Sequence, residues 1–376
     1  MVYKEFVDLS YEPSDEDLVC LFYVEPAEGF TMEEAAGRVA SESSIGTWTE
    51  LTTMTKRILE MRARVFEIDG NYVKIAYPTV LFEPGNMPNI LSSIAGNVFG
   101  MKALNNLRLE DVYWPPAIVD SFKGPSFGIK GVRDFFKVYD RPLTATVPKP
   151  KVGFTSDEFA EVAYQIWSGG VDLVKDDENL ASQSFNKFKN RVEKVLKARE
   201  KAERETGEKK GYLVNVTAET MEMKRRIEFV VENGGEFVMV DIITTGWAAV
   251  QTVRELCGDY GLRIHAHRAM HASFTRNPKH GISMKVVAEV ARLIGVDHLH
   301  IGTVVGKLVS PLEEVLALAD ILREQKLSED MSRKVLRKNW RSIKPVLPVS
   351  SGGLHPGLIP DVMKLLGKEC LLQVGG

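Results

Sequence analysis

Short apolar, β-branched runs alternate with longer amphipathic stretches over the last two thirds of the chain. A run of this kind predicts a strand, and apolar residues three or four positions apart predict a helix. The strand-like runs lie at 143–149, 171–175, 212–217, 237–242, 263–268, 298–303, 343–350 and 370–374. The helical stretches between them lie at 155–168, 183–207, 219–233, 247–260, 283–294, 311–325 and 357–367.

Eight strands separated by seven helices indicate a parallel α/β fold. This number of repeats favours a (β/α)8 TIM barrel, although the rhythm alone also fits a doubly wound sheet. The chain stops directly after the eighth predicted strand. We therefore expect a barrel that lacks its last helix.

The first part of the chain has a different pattern, with fewer and more widely spaced elements. Strands are predicted at 18–26 and 72–78, and helices at 31–42 and 88–96. Proline-rich segments around Trp114 and Pro142 are plausible junctions. We expect an α+β N-terminal domain over residues 1–140 and the (β/α)8 barrel over 141–376.

Composition narrows the class of protein. With 44% hydrophobic and 26% charged residues, the 376-residue chain has the make-up of a globular protein, and its net charge of -3 attracts neither nucleic acid nor anionic membrane. The chain has no apolar run of about 18 residues and no signal-peptide pattern. Its three distant cysteines argue against a disulfide framework or a cysteine zinc site. We expect a cytoplasmic protein without nucleic-acid or membrane partners.

Polar and charged residues fall at the carboxyl end of nearly every predicted barrel strand, where the sites of (β/α)8 enzymes lie. Random surface charge would not collect at one end in this way, so we expect a site there. In strand order these residues are Lys149 and Lys151, Lys175 to Glu178, Asn215 and Thr217, His267 and Arg268, His300 and Lys307, Ser350 to Gly353, and Gly375 and Gly376.

The segment Lys175-Asp176-Asp177-Glu178 is the candidate metal site. Carboxylate oxygens are the ligands that Mg²⁺ prefers. A lysine among carboxylates is also typical of a surface ion-pair cluster. The position directly after an apolar strand favours the metal site.

Six of the seven histidines lie between His265 and His300. Zinc binding is one interpretation, and proton transfer with phosphate binding near neutral pH is another. For His265, His280 and His298, a place in the core or at a dimer interface is an equally good interpretation.

Two glycine-containing segments offer unobstructed backbone amides after the seventh and eighth strands, the usual phosphate site of a TIM barrel. They are Ser351-Gly352-Gly353 and Gly375-Gly376. The segment 302–307 lacks the spacing of a nucleotide-binding P-loop, because Leu308 follows the lysine. A glycine-flanked lysine here better suits a lid that closes over substrate.

Seven segments spread along nearly the whole chain carry a specific pattern, at 42–49, 96–100, 149–153, 169–179, 265–271, 298–308 and 350–353. These segments resemble the large subunit of ribulose-1,5-bisphosphate carboxylase/oxygenase (Rubisco). The short N-terminus and the run 147–151 are most similar to archaeal, type III-like forms.

This resemblance implies carboxylation of ribulose-1,5-bisphosphate to 3-phosphoglycerate, with oxygenation by oxygen, through an enediolate stabilised by Mg²⁺. It implies that carbon dioxide forms an activating carbamate on Lys175. The carbamate would bind magnesium together with Asp177 and Glu178, and it would also take the C3 proton of the sugar.

The resemblance also implies roles for the remaining residues. Lys149 would shuttle protons, His267 would serve hydration at C3, and Lys307 would close over the site. Substrate would be held by Lys151, by Arg268, His300, Ser351, Gly352 and Gly353 at one phosphate, and by Thr47, Trp48, Gly375 and Gly376 at the other.

Glu42 and Asn97 would reach the barrel of a partner subunit, which implies a homodimer or an assembly of dimers. We expect no small subunit. The chain departs from the family pattern at Val309, where a glutamate is usual, and at Val147, where plant-type forms have threonine. The third glycine of the usual Gly-Gly-Gly phosphate segment is also absent after Gly376.

Two alternatives remain. One is a Rubisco-like enolase or isomerase that acts on a methylthio-pentose phosphate, although such relatives commonly replace several of the residues named above. The other is a non-catalytic assembly or binding subunit.

Overall fold

The computed structural model describes residues 3–46, 52–305 and 311–375. The chain divides into two compact units. The sheet unit comprises Met1–Lys123, His271–Leu293 and Glu324–Ile343, and the barrel unit comprises Gly124–Met270, Ile294–Arg323 and Lys344–Gly376. The domain boundary predicted after residue 140 stays a prediction.

The sheet unit is built on a mixed sheet with the order β10-β4-β1-β3-β2, in which only the β10–β4 pair is parallel. Its strands are β1 (Asp17–Pro26), β2 (Arg64–Asp69), β3 (Tyr72–Pro78), β4 (Leu104–Tyr113) and β10 (Gly281–Ile282). A separate antiparallel ribbon pairs β12 (Lys326–Leu327) with β13 (Lys338–Asn339).

Helices of the sheet unit flank these strands. They are α1 (Met32–Glu42), α2 (Lys56–Glu60), α3 (Met87–Ile94), α4 (Pro116–Val119), α11 (Ala272–Thr275) and α12 (Met284–Ile294), with 3-10 turns at Tyr3–Phe6, Thr79–Leu81 and Asn97–Gly100. A capping box starts α1, because Thr31 accepts from the amide of Glu34 and Glu34 accepts from Thr31. The elements predicted in this region correspond to β1, α1, β3 and α3.

The barrel unit contains a closed barrel of eight parallel strands in the order β11-β14-β15-β5-β6-β7-β8-β9. Since β9 also pairs with β11, the ring is complete, and the TIM barrel is confirmed over the doubly wound sheet. The strands are β5 (Leu143–Val147), β6 (Leu173–Lys175), β7 (Gly211–Asn215), β8 (Phe237–Asp241), β9 (Arg263–His267), β11 (His298–Gly302), β14 (Leu347–Ser351) and β15 (Leu371–Gly375).

The helices of the barrel unit are α5 (Gly128–Phe136), α6 (Ser156–Ser168), α7 (Phe188–Thr206), α8 (Thr220–Glu232), α9 (Ile242–Thr245), α10 (Trp247–Tyr260), α13 (Leu312–Arg323) and α14 (Ile359–Leu366), with a 3-10 turn at Pro356–Leu358. Six of the seven predicted helices lie within a few residues of α6, α7, α8, α10, α13 and α14, and the seventh corresponds to α12 of the sheet unit. Helices α5 and α9 were not predicted. Over the described ranges, none of the helices is both long enough and apolar enough to cross a membrane.

The barrel interior changes from apolar to polar along the strands. Buried side chains from six strands and α5 form one apolar cluster, which includes Phe136, Leu173 and Phe237. Side chains two residues apart share a face of a strand. The next inward positions after Leu173 and Met239 are therefore Lys175 and Asp241, at the carboxyl ends of the strands. The apolar layer supports this polar layer from below.

Candidate active site at the barrel mouth

A sequence of hydrogen bonds joins neighbouring strands around the mouth of the barrel. Lys149, after β5, donates to Asp177, after β6, at 3.0 Å. The backbone amide of Asn215, at the end of β7, donates to Asp176 at 3.0 Å. The amide of Asp241, at the end of β8, donates to Thr217 at 3.0 Å. The predicted strand-end residues are thus brought together at one end of the barrel.

Lys175 ends β6 with its side chain completely buried. Its Nζ donates to the carbonyl oxygen of Asp176 at 2.8 Å and to Oε2 of Glu178 at 3.3 Å. Burial lowers the pKa of Lys175, and this outweighs the nearby carboxylates, which act to raise it. A lysine in this position has a larger neutral fraction at a given pH than a lysine in water.

The carboxylates of Asp177 and Glu178 are both held in their ionised forms. Burial acts to raise the pKa of Asp177, but hydrogen bonds from Asn179 and Lys149 outweigh it and lower that pKa. Burial likewise acts to raise the pKa of Glu178, and the charge of Lys175 helps to lower it overall. Two anionic carboxylates therefore lie beside the buried amine.

Asp176 is occupied by protein contacts. Its carboxylate accepts from the hydroxyl of Tyr212 at 2.7 Å, from the guanidinium of Arg191 at 3.2 Å and from the amide of Asn215 at 3.0 Å. Arg191 and Asp176 are both fully buried. Asp176 therefore anchors the loop that carries Asp177 and Glu178, and it has no free oxygen for a ligand.

Lys175, Asp177 and Glu178 fit a magnesium site only after a chemical change. Over the described ranges, no group of three His, Cys, Asp or Glu side chains is arranged to hold a metal ion. This argues against zinc among the described histidines. Asp177 and Glu178 supply two carboxylates, and the third side chain is a lysine. A carbamate on that lysine would complete a set of anionic oxygen ligands, as Mg²⁺ requires.

His267 is oriented by Asp241, a residue that the sequence analysis missed. Nδ1 of His267 lies 2.7 Å from Oδ1 of Asp241, and its Nε2 lies 3.6 Å from Oε2 of Glu178. The carboxylate fixes the ring so that Nε2 faces the candidate metal site. The signal was available in the sequence, because Asp241 ends a buried strand in the same way as Lys175 ends β6.

Three further histidines lie inside the barrel and bond to one another. Nδ1 of His265 lies 3.1 Å from Nδ1 of His298, and Nε2 of His265 lies 2.8 Å from Nε2 of His300. Nδ1 of His300 lies 2.8 Å from the hydroxyl of Ser351. The interpretation of His265 and His298 as core residues agrees with their complete burial.

Arg268 follows β9 beside the end of β11. Burial lowers the pKa of Arg268 to about 10, against the opposing effect of Glu314. Gly302 has a φ of +93°, and a Cβ there would lie 2.8 Å from a terminal nitrogen of Arg268. The guanidinium therefore packs directly against the backbone of Gly302, where no larger residue fits without moving it.

The glycine segments predicted to bind phosphate lie at the same mouth. Gly352 and Gly353 are exposed and have positive φ values of +106° and +66°. Gly375 ends β15, and a Cβ built on it would lie 3.8 Å from Cε of Lys149. The backbone near both segments is open to a ligand.

Several predicted residues are not part of this cluster. Lys151 is exposed. In the sheet unit, Glu42 ends α1 half-buried, and Asn97 begins a 3-10 turn and is exposed. Thr47, Trp48, Lys307 and Gly376 lie outside the described residues, as does Val309. The positions of Glu42 and Asn97 relative to a barrel stay a prediction.

Comparisons with known proteins agree with the site. The family model of the ribulose bisphosphate carboxylase large chain, catalytic domain, matches residues 128–376, and that of its N-terminal domain matches 5–118. The chain is 51% identical to the ribulose bisphosphate carboxylase of Pyrococcus abyssi, over 100% of this chain and 86% of that protein. It is 50% identical to that of Methanosarcina mazei, over 99% of this chain and 88% of that protein.

Solved structures of archaeal relatives have the same fold. The dimeric archaeal Rubisco from Hyperthermus butylicus matches with a TM-score of 0.95 and 50% identity, over 100% of this chain and 89% of that chain. An octameric Rubisco from Pyrococcus horikoshii, in complex with sulfate ion, matches with a TM-score of 0.93 and 51% identity, over 100% and 86%.

Proposed function

The chain belongs to the ribulose bisphosphate carboxylase large-chain family and is a carboxylase of its archaeal branch, and we propose that it converts ribulose-1,5-bisphosphate, carbon dioxide and water into two molecules of 3-phosphoglycerate. Oxygen would compete with carbon dioxide for the same enediolate. The observation that carries this proposal is the buried amine of Lys175 beside the carboxylates of Asp177 and Glu178.

Activation would begin at the neutral amine of Lys175. Its nitrogen forms a bond to the carbon of carbon dioxide, and the nitrogen loses one proton to solvent, which leaves a carbamate with one negative charge. Burial supports this step, because it lowers the pKa of Lys175 and so raises the fraction of nucleophilic amine. Asp177, Glu178 and the carbamate would then hold Mg²⁺. When bound, the metal ion would supply positive charge that stabilises the enediolate.

The chain's own groups would move the protons. Lys175, once it carries the carbamate, would take the proton from C3 of the sugar, and C2 of the resulting enediolate would bond to carbon dioxide. His267, held by Asp241 at 2.7 Å, is placed to accept a proton when water adds at C3. The bond between C2 and C3 then breaks, and Lys149, 3.0 Å from Asp177, is placed to return a proton to C2.

The two phosphates would lie at opposite sides of the mouth. Arg268 and Ser351, with the amides of Gly352 and Gly353, would hold one of them, and His300 would act on it through Ser351, whose hydroxyl lies 2.8 Å from Nδ1 of His300. Gly375 lies on the side of Lys149, where it would hold the other together with Thr47, Trp48 and Gly376, with Lys151 as a further candidate. Lys307 would close over the substrate. The exposed, positive-φ backbone at Gly352 and Gly353 supports this arrangement, because a Cβ built on either glycine would meet none of the described atoms within 4 Å.

We also propose that Glu42 and Asn97 complete the site of a partner subunit in a homodimer or an assembly of dimers. The similar solved structures are a dimer and an octamer. The exposed position of Asn97 in the sheet unit leaves it available for a second copy. We expect no small subunit and a cytoplasmic location.

The test is fixation of labelled bicarbonate with ribulose-1,5-bisphosphate, without oxygen, after preincubation with bicarbonate and magnesium. We expect labelled 3-phosphoglycerate whose formation depends on the preincubation. In Lys175→Ala, loss of the carbamate base should lower carboxylation by at least about a thousandfold while the assembly stays intact. Lys175→Arg should be equally inactive, because a guanidinium does not form the carbamate.

A matched control is Lys210→Met, which alters another fully buried lysine of the barrel unit. Its Nζ bonds to Glu208 and to the carbonyl of Val171, away from the strand-end residues. Folded Lys210→Met protein should retain carboxylation. Activity in Lys175→Ala at the level of this control would rule out the carbamate, and release of an isomerised sugar phosphate in place of 3-phosphoglycerate would favour the enolase alternative.

A further inference from the structure

The barrel interior contains a continuous row of hydrogen-bonded polar groups that runs to the mouth. The row is His298–His265–His300–Ser351, with separations of 3.1, 2.8 and 2.8 Å between successive polar atoms. The rings of His265 and His298, and of His265 and His300, are nearly perpendicular, at 85° in both pairs. In both pairs, a nitrogen of one ring faces a nitrogen of the next ring.

The three histidines of this row lie at inward positions whose partners on the neighbouring strands are apolar. In the strand register, His265 is paired with Met239 of β8, His298 with Leu347 and His300 with Val349 of β14. Those three partners belong to the apolar interior cluster. Buried polar groups are costly unless they are hydrogen-bonded, whereas apolar side chains at these positions would pack without needing such partners. We therefore expect a role of the three histidines beyond packing.

All three rings are held in their neutral forms. Burial lowers the pKa of His298 to about 3, with a further contribution from Arg263. Burial is also the main cause that lowers the pKa of His265 and of His300. A neutral imidazole has one nitrogen that donates and one that accepts. Hydrogen bonds along the row must therefore all run in the same direction, either towards Ser351 or away from it.

The inner end of the row distinguishes the two directions. Nε2 of His298 is buried and has no hydrogen-bond partner among the described residues. If the bonds run towards Ser351, this nitrogen carries only a lone pair. If they run away from Ser351, it carries an N–H group with no acceptor. A buried N–H without a partner is the rarer and costlier state, so the direction towards Ser351 is favoured.

We propose that the row His298–His265–His300 fixes this direction, so that Ser351 accepts from His300 and points its own hydroxyl hydrogen at an oxygen of the bound sugar bisphosphate. This inference rests on the proposed function, because it takes Ser351 to face the substrate. His300 uses both ring nitrogens within the row and is therefore a positioning residue that acts through Ser351.

The direction can be read from the ring nitrogens of the intact assembly by magic-angle-spinning NMR with ¹⁵N-labelled histidine. Protonated and unprotonated nitrogens of a neutral ring resonate in separate regions. We expect the proton on Nδ1 of His298, on Nε2 of His265 and on Nδ1 of His300. The opposite pattern, or a charged ring at His265 or His300, would overturn the proposal.

Two substitutions of His298 form a matched pair. One helps to assign the histidine signals, and the other should reverse the direction of the hydrogen bonds along the row. His298→Phe removes the ring without adding an acceptor, so His265 and His300 should keep their tautomers. His298→Asp adds a carboxylate, which in its ionised form only accepts, so the proton should move to Nδ1 of His265 and Nε2 of His300. Exposed His355, replaced in His355→Asn, identifies its own signal and should leave the others unchanged.

The substrate readout is the KM for ribulose-1,5-bisphosphate. Reversal in His298→Asp should raise KM severalfold above that of His298→Phe, and adding Ser351→Ala to His298→Asp should raise it little further. Equal KM values in the two His298 variants would show that the direction of the hydrogen bonds along the row does not affect substrate binding, which would overturn the proposal. If the Asp variant does not fold, the wild-type spectrum alone decides. A folded wild-type protein with the expected spectrum but no carboxylation would contradict the proposed function and leave the tautomers established.

Discussion

Lys175 and Lys210 show how position decides the chemistry of a buried lysine. Both side chains are completely buried in the barrel unit. Lys210 bonds to Glu208, which is half-exposed, and to the carbonyl oxygen of Val171. Lys175 is instead held at a strand end beside two carboxylates, and burial lowers its pKa. Only the second arrangement offers a nucleophilic amine next to candidate metal ligands.

Gly302 provides a residue-scale prediction for the phosphate site. In Gly302→Ala, the new Cβ would lie 2.8 Å from Arg268 and the residue would keep a φ of +93°. We expect Arg268 to be displaced and KM for ribulose-1,5-bisphosphate to rise roughly tenfold, as for the loss of one hydrogen bond to a charged group. Steady-state kinetics with the melting temperature would measure both effects.

The control for backbone strain alone is Gly207→Ala. Gly207 ends α7 with a φ of +71°, and a Cβ there would meet none of the described atoms within 4 Å. This variant should lose thermal stability, by about 1 kcal/mol, with an unchanged KM. Equal KM values in the two variants would show that Gly302 does not position Arg268.

At the scale of elements, the barrel strands and helices were predictable because their periodicities are clear. All eight strands lie within a few residues of their predicted positions, and six of them contribute buried side chains such as Leu173 and Phe237 to the apolar interior cluster. Strand β4 was missed because Arg108, Glu110 and Asp111 interrupt its apolar pattern, although all three are buried. A sequence does not show which charged residues have buried partners.

The buried charged group around Asp111 supports a prediction about how stability depends on pH. In the sheet unit, Lys338 of β13 donates to Asp111 of β4 at 2.6 Å and lies 2.9 Å from Glu289 of α12. Trp114 donates to Glu289 at 2.9 Å. Burial, with the charge of Asp111, raises the pKa of Glu289 well above 4.5, and a hydrogen bond between the two carboxyl groups requires a proton. The folded protein therefore keeps a proton that the unfolded chain releases.

As pH rises above 4.5, the ordinary pKa of this carboxyl group, the proton on Glu289 makes folding progressively less favourable. The free energy of unfolding should fall by at most about 1.4 kcal/mol per pH unit until the folded protein also loses the proton. In Glu289→Gln, the amide can donate to Asp111 without titrating, so this slope should shrink. Denaturant unfolding across pH measures it.

Glu329→Gln is the control, because Glu329 pairs with Lys74 at 2.7 Å but is 41% exposed. Its pH slope should match that of the wild type. Parallel stability curves for wild type and Glu289→Gln would show that no such proton is bound at Glu289.

For the whole molecule, the sequence predicted the barrel and most of the residues at its mouth, because strand ends can be located from the pattern. It did not reveal the contacts across strands that make the site work. Asp241 behind His267 and the pairing of His265 with His300 depend on which strands become neighbours. Those neighbours are set by barrel closure, since β9 and β11 are separated in the chain by 30 residues between His267 and His298.

A shared site makes a prediction about mixed assemblies. If Asn97 serves the barrel of a partner, Asn97→Ala and Lys175→Ala subunits are each inactive alone. A hybrid dimer of the two contains one site with both residues intact and one site with neither. Random exchange makes half of the dimers hybrid, so we expect about a quarter of the wild-type carboxylation per subunit.

The matched control mixes Asn97→Ala with Glu42→Ala. Both residues belong to the sheet unit, so each hybrid site would receive one altered residue from the opposite subunit and no activity should return. Exchange is verified with two differently tagged subunits that are purified in sequence before the assay. Recovery in the first mixture only would place Asn97 and Lys175 of one site on different chains. No recovery in verified hybrids would mean that each barrel is completed by its own sheet unit, because a site within one chain cannot be restored by its neighbour.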